Sequence, residues 1–446
     1  MRESILGTES INKLFLQYSV PTLAAMLFLG LNTIVDGIFV GRYIGADALA
    51  SVNIAMPFGS FLFALSVVIG IGTQSMIGRR LGAGRVAEAN TAFTTAVLLA
   101  GGVSLLFTAA AMAFPVQIAY LLGANEHLLP QVAAYIRYLG LFLPFLALMM
   151  VLDYVLKTVA MPVYAMLALV VAVSSHILLN WLLVVKLSLG IQGAAFATGI
   201  GYCIAFGMAI LPFFSKKAVL KPFAGGFDKQ AAGHILYSGS SEGLSEMGTG
   251  ITTFLFNITL MRYVGEMGVA AFTVISYLSF IGSNVLLGLS DGVGAIISYN
   301  YGSRQMDRVR KALKLVFATA IVIGAGIFIA IFVFSKEVIA LFLNEGNEEV
   351  LAFAVYGAKL YAFAFLFNGI NIVAAGYFTA IGSPKKAVLI ALSKGIVWIA
   401  AGIAVLPVLL GIHGIWLTVP IAEIVTVGLS GFLLYRHFQN QLRLCQ

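Results

Sequence analysis

Asp36 lies in the run Leu31-Asn32-Thr33-Ile34-Val35-Asp36-Gly37, flanked by apolar residues and with no basic residue within four positions. A carboxylate in such a run is expensive, and the chemistry open to it is to take up a proton or to hold a cation. Other polar groups share its depth. At a rise of 1.5 Å per residue, Asp36 is about 9 Å from Arg42, Asn180 about 9 Å from Lys186, and Thr198 about 10 Å from Ile191. His176 is four residues before Asn180 and so occupies the same helix face, one turn deeper. Asp36, His176, Asn180 and Thr198 are therefore the first candidate set for an intramembrane site, the alternative being polar contacts that only hold helices together.

A second set falls later in the chain. Glu242 and Glu246 are one helical turn apart. Two carboxylates that close in low dielectric cannot both stay charged cheaply, so at least one is expected to carry a proton. Asp291 stands among Gly288, Gly292 and Gly294, and it either lines a cleft or meets buried backbone. Glu423 follows Pro420 and is a further candidate. Asp153 precedes Lys157 by four residues and reads as an ion pair at a helix end. No metal-ligand spacing occurs, and no His-Glu-x-x-His or Gly-x-x-x-x-Gly-Lys-Ser/Thr motif is present. The string Gly239-Ser240-Ser241-Glu242-Gly243 resembles a nucleophile elbow, but it falls inside a predicted helix rather than at a strand-to-helix turn, so it reads as small-residue helix packing. An enzyme is not expected, nor any cofactor or resident metal.

The elements that carry these residues follow from composition. Apolar residues make up 61% of the chain and charged residues 10%, against roughly 45–50% and 25% in soluble domains. With about 20 residues per crossing, the sequence predicts twelve transmembrane helices, near 12–40, 48–77, 90–114, 131–156, 163–185, 191–214, 233–261, 269–299, 312–334, 350–380, 387–409 and 414–435. The fold class is an all-α membrane protein. With the N-terminus inside, 20 of the 26 Lys and Arg residues fall on the cytoplasmic side or the adjoining helix ends. The positive-inside rule then places both termini in the cytoplasm and the chain in the inner, cytoplasmic membrane. Basic loops facing anionic lipid account for the net charge of +8 without nucleic acid. Cys203 and Cys445 form no disulfide framework.

The chain also repeats itself at an offset of about 220 residues. Arg42-Tyr43-Ile44-Gly45 returns as Arg262-Tyr263-Val264-Gly265, Leu189-Gly190-Ile191-Gln192-Gly193 as Leu410-Gly411-Ile412-His413-Gly414, Ile118-Ala119-Tyr120-Leu121 as Ile339-Ala340-Leu341-Phe342, and Pro162 as Pro384. The expected organisation is two six-helix pseudo-symmetric bundles, 1–214 and 231–446, joined by a cytoplasmic linker at 215–230. An even number of spans per repeat gives the halves the same orientation, as in parallel-repeat transporters that work by alternating access. The repeat is also an internal control. Asp36 falls on Phe256, His176 on Val397, Asn180 on Ala401 and Thr198 on Val419, so the first polar set belongs to one half alone.

Pro21, Val35-Asp36-Gly37-Ile38-Phe39-Val40-Gly41, Gly45-Ala46-Asp47-Ala48-Leu49-Ala50, the Leu-Gly-Ile-x-Gly element of both halves and Ile297-Ser298-Tyr299-Asn300-Tyr301-Gly302 together resemble the multidrug and toxic compound extrusion (MATE) family, in particular its DNA-damage-inducible protein F-like branch. The resemblance covers essentially the whole chain. It implies an antiporter that exports drug-like, often cationic, amphipathic compounds against inward proton or Na+ flow. It maps the first-half cation site onto Asp36, His176, Asn180 and Thr198. The fifth helix of the family often carries Asn and Asp where this chain has His176 and Asn180. One carboxylate is left instead of two, which disfavours a sodium cage and favours a proton on Asp36. Pro21 is then the expected bend in the first helix. Phe28, Phe39, Met56, Phe61, Phe145 and Met149 are candidate cleft residues. The alternative is a lipid-linked oligosaccharide or lipid flippase of related architecture, which would need cations within its spans to meet phosphates. Arg137, Lys359 and Lys394 are the nearest approach to that, and all read as lying toward span ends. The expected partners are small drug-like molecules and the lipid bilayer, with the protein a monomer.

Overall fold

The computed structural model describes residues 4–340 and 348–444. Arg2, Cys445 and the Leu341-Phe342 pair of the repeat lie outside the described residues. Helices account for nearly all of the rest. The long ones are α1 (Ile11–Tyr43), α2 (Ala46–Gly82), α3 (Val86–Ala113), α4 (Leu129–Gly140 with Leu143–Thr158, bent by 51°), α5 (Pro162–Lys186), α6 (Gly190–Ile210), α7 (Lys229–Tyr263), α8 (Glu266–Gly302), α9 (Met306–Ala340), α10 (Glu348–Ala380), α11 (Pro384–Leu410) and α12 (Ile412–Leu444). Among the described residues, ten are each long and apolar enough to cross a membrane, and the bent pair of α4 is an eleventh. The twelfth, α7, has the length at 35 residues. The polar stretch through Ser238, Ser240, Ser241, Glu242, Ser245 and Glu246 lowers its hydropathy. Several helices run further than their apolar runs predict. At 37 residues, α2 and α8 are about 55 Å long and outreach the roughly 30 Å hydrocarbon layer.

The repeated sequence elements make the same turns. Gly45 and Gly265, the last residues of the two Arg-Tyr-x-Gly matches, have φ of 128° and 83° and separate α1 from α2 and α7 from α8. Gly190 and Gly411 both have φ of 59° and open α6 and precede α12. A side chain is strained at positive φ, so glycine is the residue that repeats there.

The chain forms two compact units, Met1–Gly239 with Ser298–Met306, and Ser240–Ile297 with Asp307–Gln446. Unit 1 therefore takes the start of α7 and the end of α8, and glycines are the reason. A Cβ on Gly72 would lie 2.0 Å from the Ile235 carbonyl oxygen, and one on Gly239 would lie 1.9 Å from that of Val68. The contacts 68–239 and 72–235 run in opposite senses, as expected where two antiparallel helices touch backbone to backbone. Gly78 and Gly82 of α2 come equally close to Ser298 and Tyr299 at the end of α8, and Gly302 of α8 comes equally close to Arg79 of α2. The segment Ser215–Gln230 also belongs to unit 1 and is docked along α3. Its Lys221, Gly225 and Asp228 amides donate to Asn90 Oδ1, Thr94 Oγ1 and Thr95 Oγ1.

Among the described residues, unit 1 contains two separate clusters of buried apolar side chains. One surrounds Leu62, Ile69, Phe93, Val151 and Phe213, and the other Val40, Val52, Val132, Ile136 and Ala195. In unit 2 an aromatic cluster stacks Phe256 on Phe272 at 4.7 Å, with Trp416 against both and Phe353 against Trp416.

Candidate cation site of unit 1 and the polar network of unit 2

In unit 1, α1 and α5 run in the same direction, and two pairs of polar residues meet across them at one separation. Asn32 Oδ1 is 2.7 Å from His176 Nδ1, and Asp36 Oδ1 accepts from Asn180 Nδ2 at 3.0 Å. Each pair is 144 residues apart, because both members step by four along parallel helices in register. The rungs are joined along α5, where Asn180 Nδ2 is 3.0 Å from His176 Nε2. From α6, Thr198 Oγ1 lies 3.2 Å from His176 Nε2 and donates to the Ala194 carbonyl at 3.1 Å. His176 Nε2 is 3.5 Å from Asp36 Oδ1.

This pattern fixes a self-consistent proton arrangement. Asn32 Oδ1 can only accept, so His176 donates from Nδ1 and presents a bare Nε2 to the Asn180 amide. Asn180 Oδ1 is buried and has no partner among the described residues. His176 and Asn180 are almost fully enclosed, whereas Asp36 keeps 22% of its side chain accessible. The carboxylate is thus only partly enclosed, as are Asn32 and Thr198. Immediately after Asn180 the α5 backbone widens to a π-helical turn, Trp181–Lys186, a feature often found at functional sites.

All four residues predicted for coupling come together. Sequence reasoning missed Asn32, Tyr135 and Tyr202. The Tyr135 hydroxyl bonds Thr198, and both tyrosines lie within the field of Asp36. Asn32 was legible, since it stands one turn before Asp36 as His176 does before Asn180. The tyrosines carried no such signal. Pro21 lies within a continuous α1 and divides it by packing. Before it, Leu14, Phe15 and Tyr18 are buried, and the Tyr18 hydroxyl donates to the Lys157 carbonyl at 2.9 Å. Between Leu23 and Phe39 no described side chain is buried. Asp153 and Lys157 pair at 2.6 Å. Met149 packs in an apolar core, and Phe145 lies edge-on to Phe206 at 5.6 Å.

In unit 2 the later candidates converge on a residue read from sequence as lying near a span end. Lys394 belongs to a π-helical turn, Ser393–Val397, within α11. Its side chain is only 15% exposed, and Nζ lies 4.0 Å from Glu423 Oε1 and 3.5 Å from Asn368 Oδ1. Glu423 Oε2 accepts from Asn371 Nδ2 at 2.6 Å, and Asn371 Oδ1 accepts from Ser430 at 2.8 Å. Glu242 and Glu246 of α7 both interact electrostatically with Lys394, and Glu242 with Asp291. The end-of-span position expected for Lys394 is therefore corrected: counting residues from Pro384 could not show that the ammonium turns into a ring of polar side chains. The Gly239–Gly243 string is continuous helix, with Ser241 Oγ 3.0 Å from Thr379 Oγ1.

Comparison with known proteins matches this architecture. The family profile MatE fits residues 21–182 and again residues 244–403, once in each repeat. The multidrug export protein MepA of Staphylococcus saprophyticus is 26% identical over 435 residues, covering 96% of this chain and 94% of its own, and MepA of Staphylococcus haemolyticus is 26% identical over 429 residues, again covering 96% and 94%. A solved structure described as the outward-facing conformation of a multidrug resistance MATE family transporter superposes with a TM-score of 0.90 at 22% identity, covering 99% of both chains. With the family matched in both halves and the fold shared from end to end, this chain belongs to the MATE family and is a multi-pass membrane transporter rather than an enzyme.

Proposed function

We propose that this transporter is a proton-coupled antiporter that exports drug-like, often cationic, amphipathic compounds by alternating access, with Asp36 as the coupling group. The observation that carries the proposal is the two-rung ladder of α1 and α5. It contains one carboxylate, and the groups turned toward that carboxylate are the nitrogens of Asn180 and His176. A hard cation such as Na+ requires several oxygen ligands, whereas a proton requires one. A proton arriving on Asp36 Oδ1 makes a donor of the oxygen that now accepts from Asn180 Nδ2 and leaves Oδ2 as the acceptor. Rotation of the Asn180 amide then offers the new O–H two acceptors, the now unpartnered Asn180 Oδ1 and the His176 Nε2 that the amide nitrogen has released. Protonation therefore re-pairs α1 with α5, and the loosely packed stretch of α1 beyond Pro21 is the part free to move. The export of varied compounds is drawn from the MepA relatives. The cytoplasmic membrane, with both termini inside, is drawn from the basic residues.

The flippase alternative gains one observation, the intramembrane cation Lys394. It is balanced by Glu423 and lies in the field of Glu242 and Glu246, so it is poorly placed to meet a phosphate. The test is transport of a fluorescent cation in vesicles with proton and Na+ gradients imposed separately. A proton gradient alone should drive export. Asp36→Asn should reduce that export by more than about tenfold, equivalent to about 1.4 kcal/mol on the barrier, while leaving folding and substrate binding intact. Wild-type rates in Asp36→Asn would move the coupling role to Glu242 and Glu246.

A further inference from the structure

Unit 2 contains carboxylates, Glu242, Glu246, Asp291 and Glu423, that the proposed coupling at Asp36 does not use, and it also contains a lysine. An isolated lysine within a span is costly and is retained where it has partners. Those partners are built from several helices. The π-helical turn Ser393–Val397 interrupts α11 at Lys394. Asn371, itself held by the Ser430 hydroxyl, binds one oxygen of Glu423 and leaves the other facing the ammonium. A Cβ on Gly248 would lie 2.9 Å from the Gly395 Cα. The backbones of α7 and α11 therefore touch one residue beyond Lys394, and Glu242 and Glu246 of α7 both lie within its field.

We propose that Lys394 is a tethered counter-ion. Its ammonium holds, among the carboxylates of unit 2, the place that a free monovalent cation would otherwise take, and so confines cation exchange to the Asp36 ladder. This rests on the reading of that ladder as the coupling site. Charge and geometry support it. Asn368 Oδ1, Glu423 Oε1 and the Asn371-held Glu423 Oε2 are oxygen ligands of the kind a hard cation uses, and the ammonium already faces the first two. A second positive charge about 4 Å away would be opposed strongly enough to weaken its binding by at least about 100-fold. Lys394 is on this view a specificity-determining residue. It acts by excluding an ion, and it does not itself carry one across.

The experiment measures binding of radiolabelled Na+ to the purified full-length protein in detergent, in an Asp36→Asn background so that the ladder contributes nothing. The parent should have no saturable Na+ site that Glu423→Gln removes. Lys394→Met should gain one, at least about 100-fold tighter than any residual Na+ binding by the parent, and adding Glu423→Gln should abolish it. Lys394→Arg keeps the charge and should behave as the parent does. A folded Lys394→Met protein that gains no Na+ binding overturns the proposal. So does a Na+ site in the parent that Glu423→Gln removes, and this arm holds even if Lys394→Met fails to fold. Because the readout is binding without Asp36, its failure is distinct from failure of the proton-coupling reading, which is measured by transport.

Discussion

Asn180 Nδ2 lies 3.0 Å from Asp36 Oδ1 and 3.0 Å from His176 Nε2, so one amide nitrogen spends its two hydrogens on the two titratable groups of unit 1. A change of protonation at either group is felt by the other through that nitrogen. The arrangement makes His176 a partner of Asp36 although no ionisable residue is needed for the fold at that place.

His176→Leu should therefore do two separable things. Burying Asn32 Oδ1 and Asn180 without their ring partner costs about 1–2 kcal/mol, between the averages for bonds within membranes and for groups left unsatisfied in soluble cores. That loss should lower the melting temperature by several degrees, taking about 2–4 °C per kcal/mol. The dependence of export on pH should also change shape, because a proton on Asp36 no longer has Nε2 to share. His176→Gln keeps a donor and an acceptor and should recover most of the melting temperature without restoring the wild-type pH profile. An unchanged profile in both variants would leave His176 with a packing role only.

Pro21→Ala tests the division of α1. The proline separates the buried Tyr18 turn, tied to Lys157 by its hydroxyl, from the stretch in which no described side chain is buried between Leu23 and Phe39. Alanine restores a donor N–H and is favoured in a helix interior by about 3 kcal/mol over proline, so it stiffens the junction. Turnover should fall several-fold while substrate affinity stays within about twofold of wild type. Stopped-flow efflux with a parallel binding titration separates the two, and equal losses in both would point to misfolding instead of a lost bend.

Most of this fold was open to sequence reasoning, since apolar run length and basic-loop bias are forced by lipid. The repeat was legible because its strongest matches are turns, where Gly45 and Gly265 or Gly190 and Gly411 answer the same steric demand. The Asp36 ladder was legible because two i,i+4 pairs on parallel helices must align. What escaped was set by side-chain direction and by backbone closeness. The inward turn of Lys394 depends on a local π-helical widening, and the docking of Ser215–Gln230 on Asn90, Thr94 and Thr95 depends on three backbone bonds that leave no periodic trace.

Lys217→Cys reads the orientation. Lys217 stands in the Ser215–Gln230 segment, which the proposed orientation, drawn from the positive-inside rule, puts in the cytoplasm. In a cysteine-free background, an impermeant maleimide should label this position in inside-out vesicles and not in intact cells. A position beside Arg42 should behave in the opposite way. Labelling of Lys217→Cys from outside intact cells would reverse the topology and with it the direction of transport.

Phe256→Asp is the internal control for the site. Phe256 is the repeat counterpart of Asp36, yet it is fully buried, stacked on Phe272 at 4.7 Å with Trp416 against both rings. Val397, Ala401 and Val419 occupy the positions matching His176, Asn180 and Thr198, so an aspartate placed there meets neither an imidazole nor an amide from those positions. Removing a buried aromatic ring costs about 3–5 kcal/mol, and an unpaired buried carboxyl adds to it. Phe256→Asp should therefore lower the melting temperature strongly, and in combination with Asp36→Asn it should not restore gradient-driven export. Phe256→Leu, which keeps an apolar side chain, should lose far less stability and transport at near the wild-type rate. Recovery of proton-driven export in the Asp36→Asn/Phe256→Asp pair would mean that a carboxylate at this depth is sufficient by itself, and that the amide and imidazole of α5 are not part of the coupling chemistry.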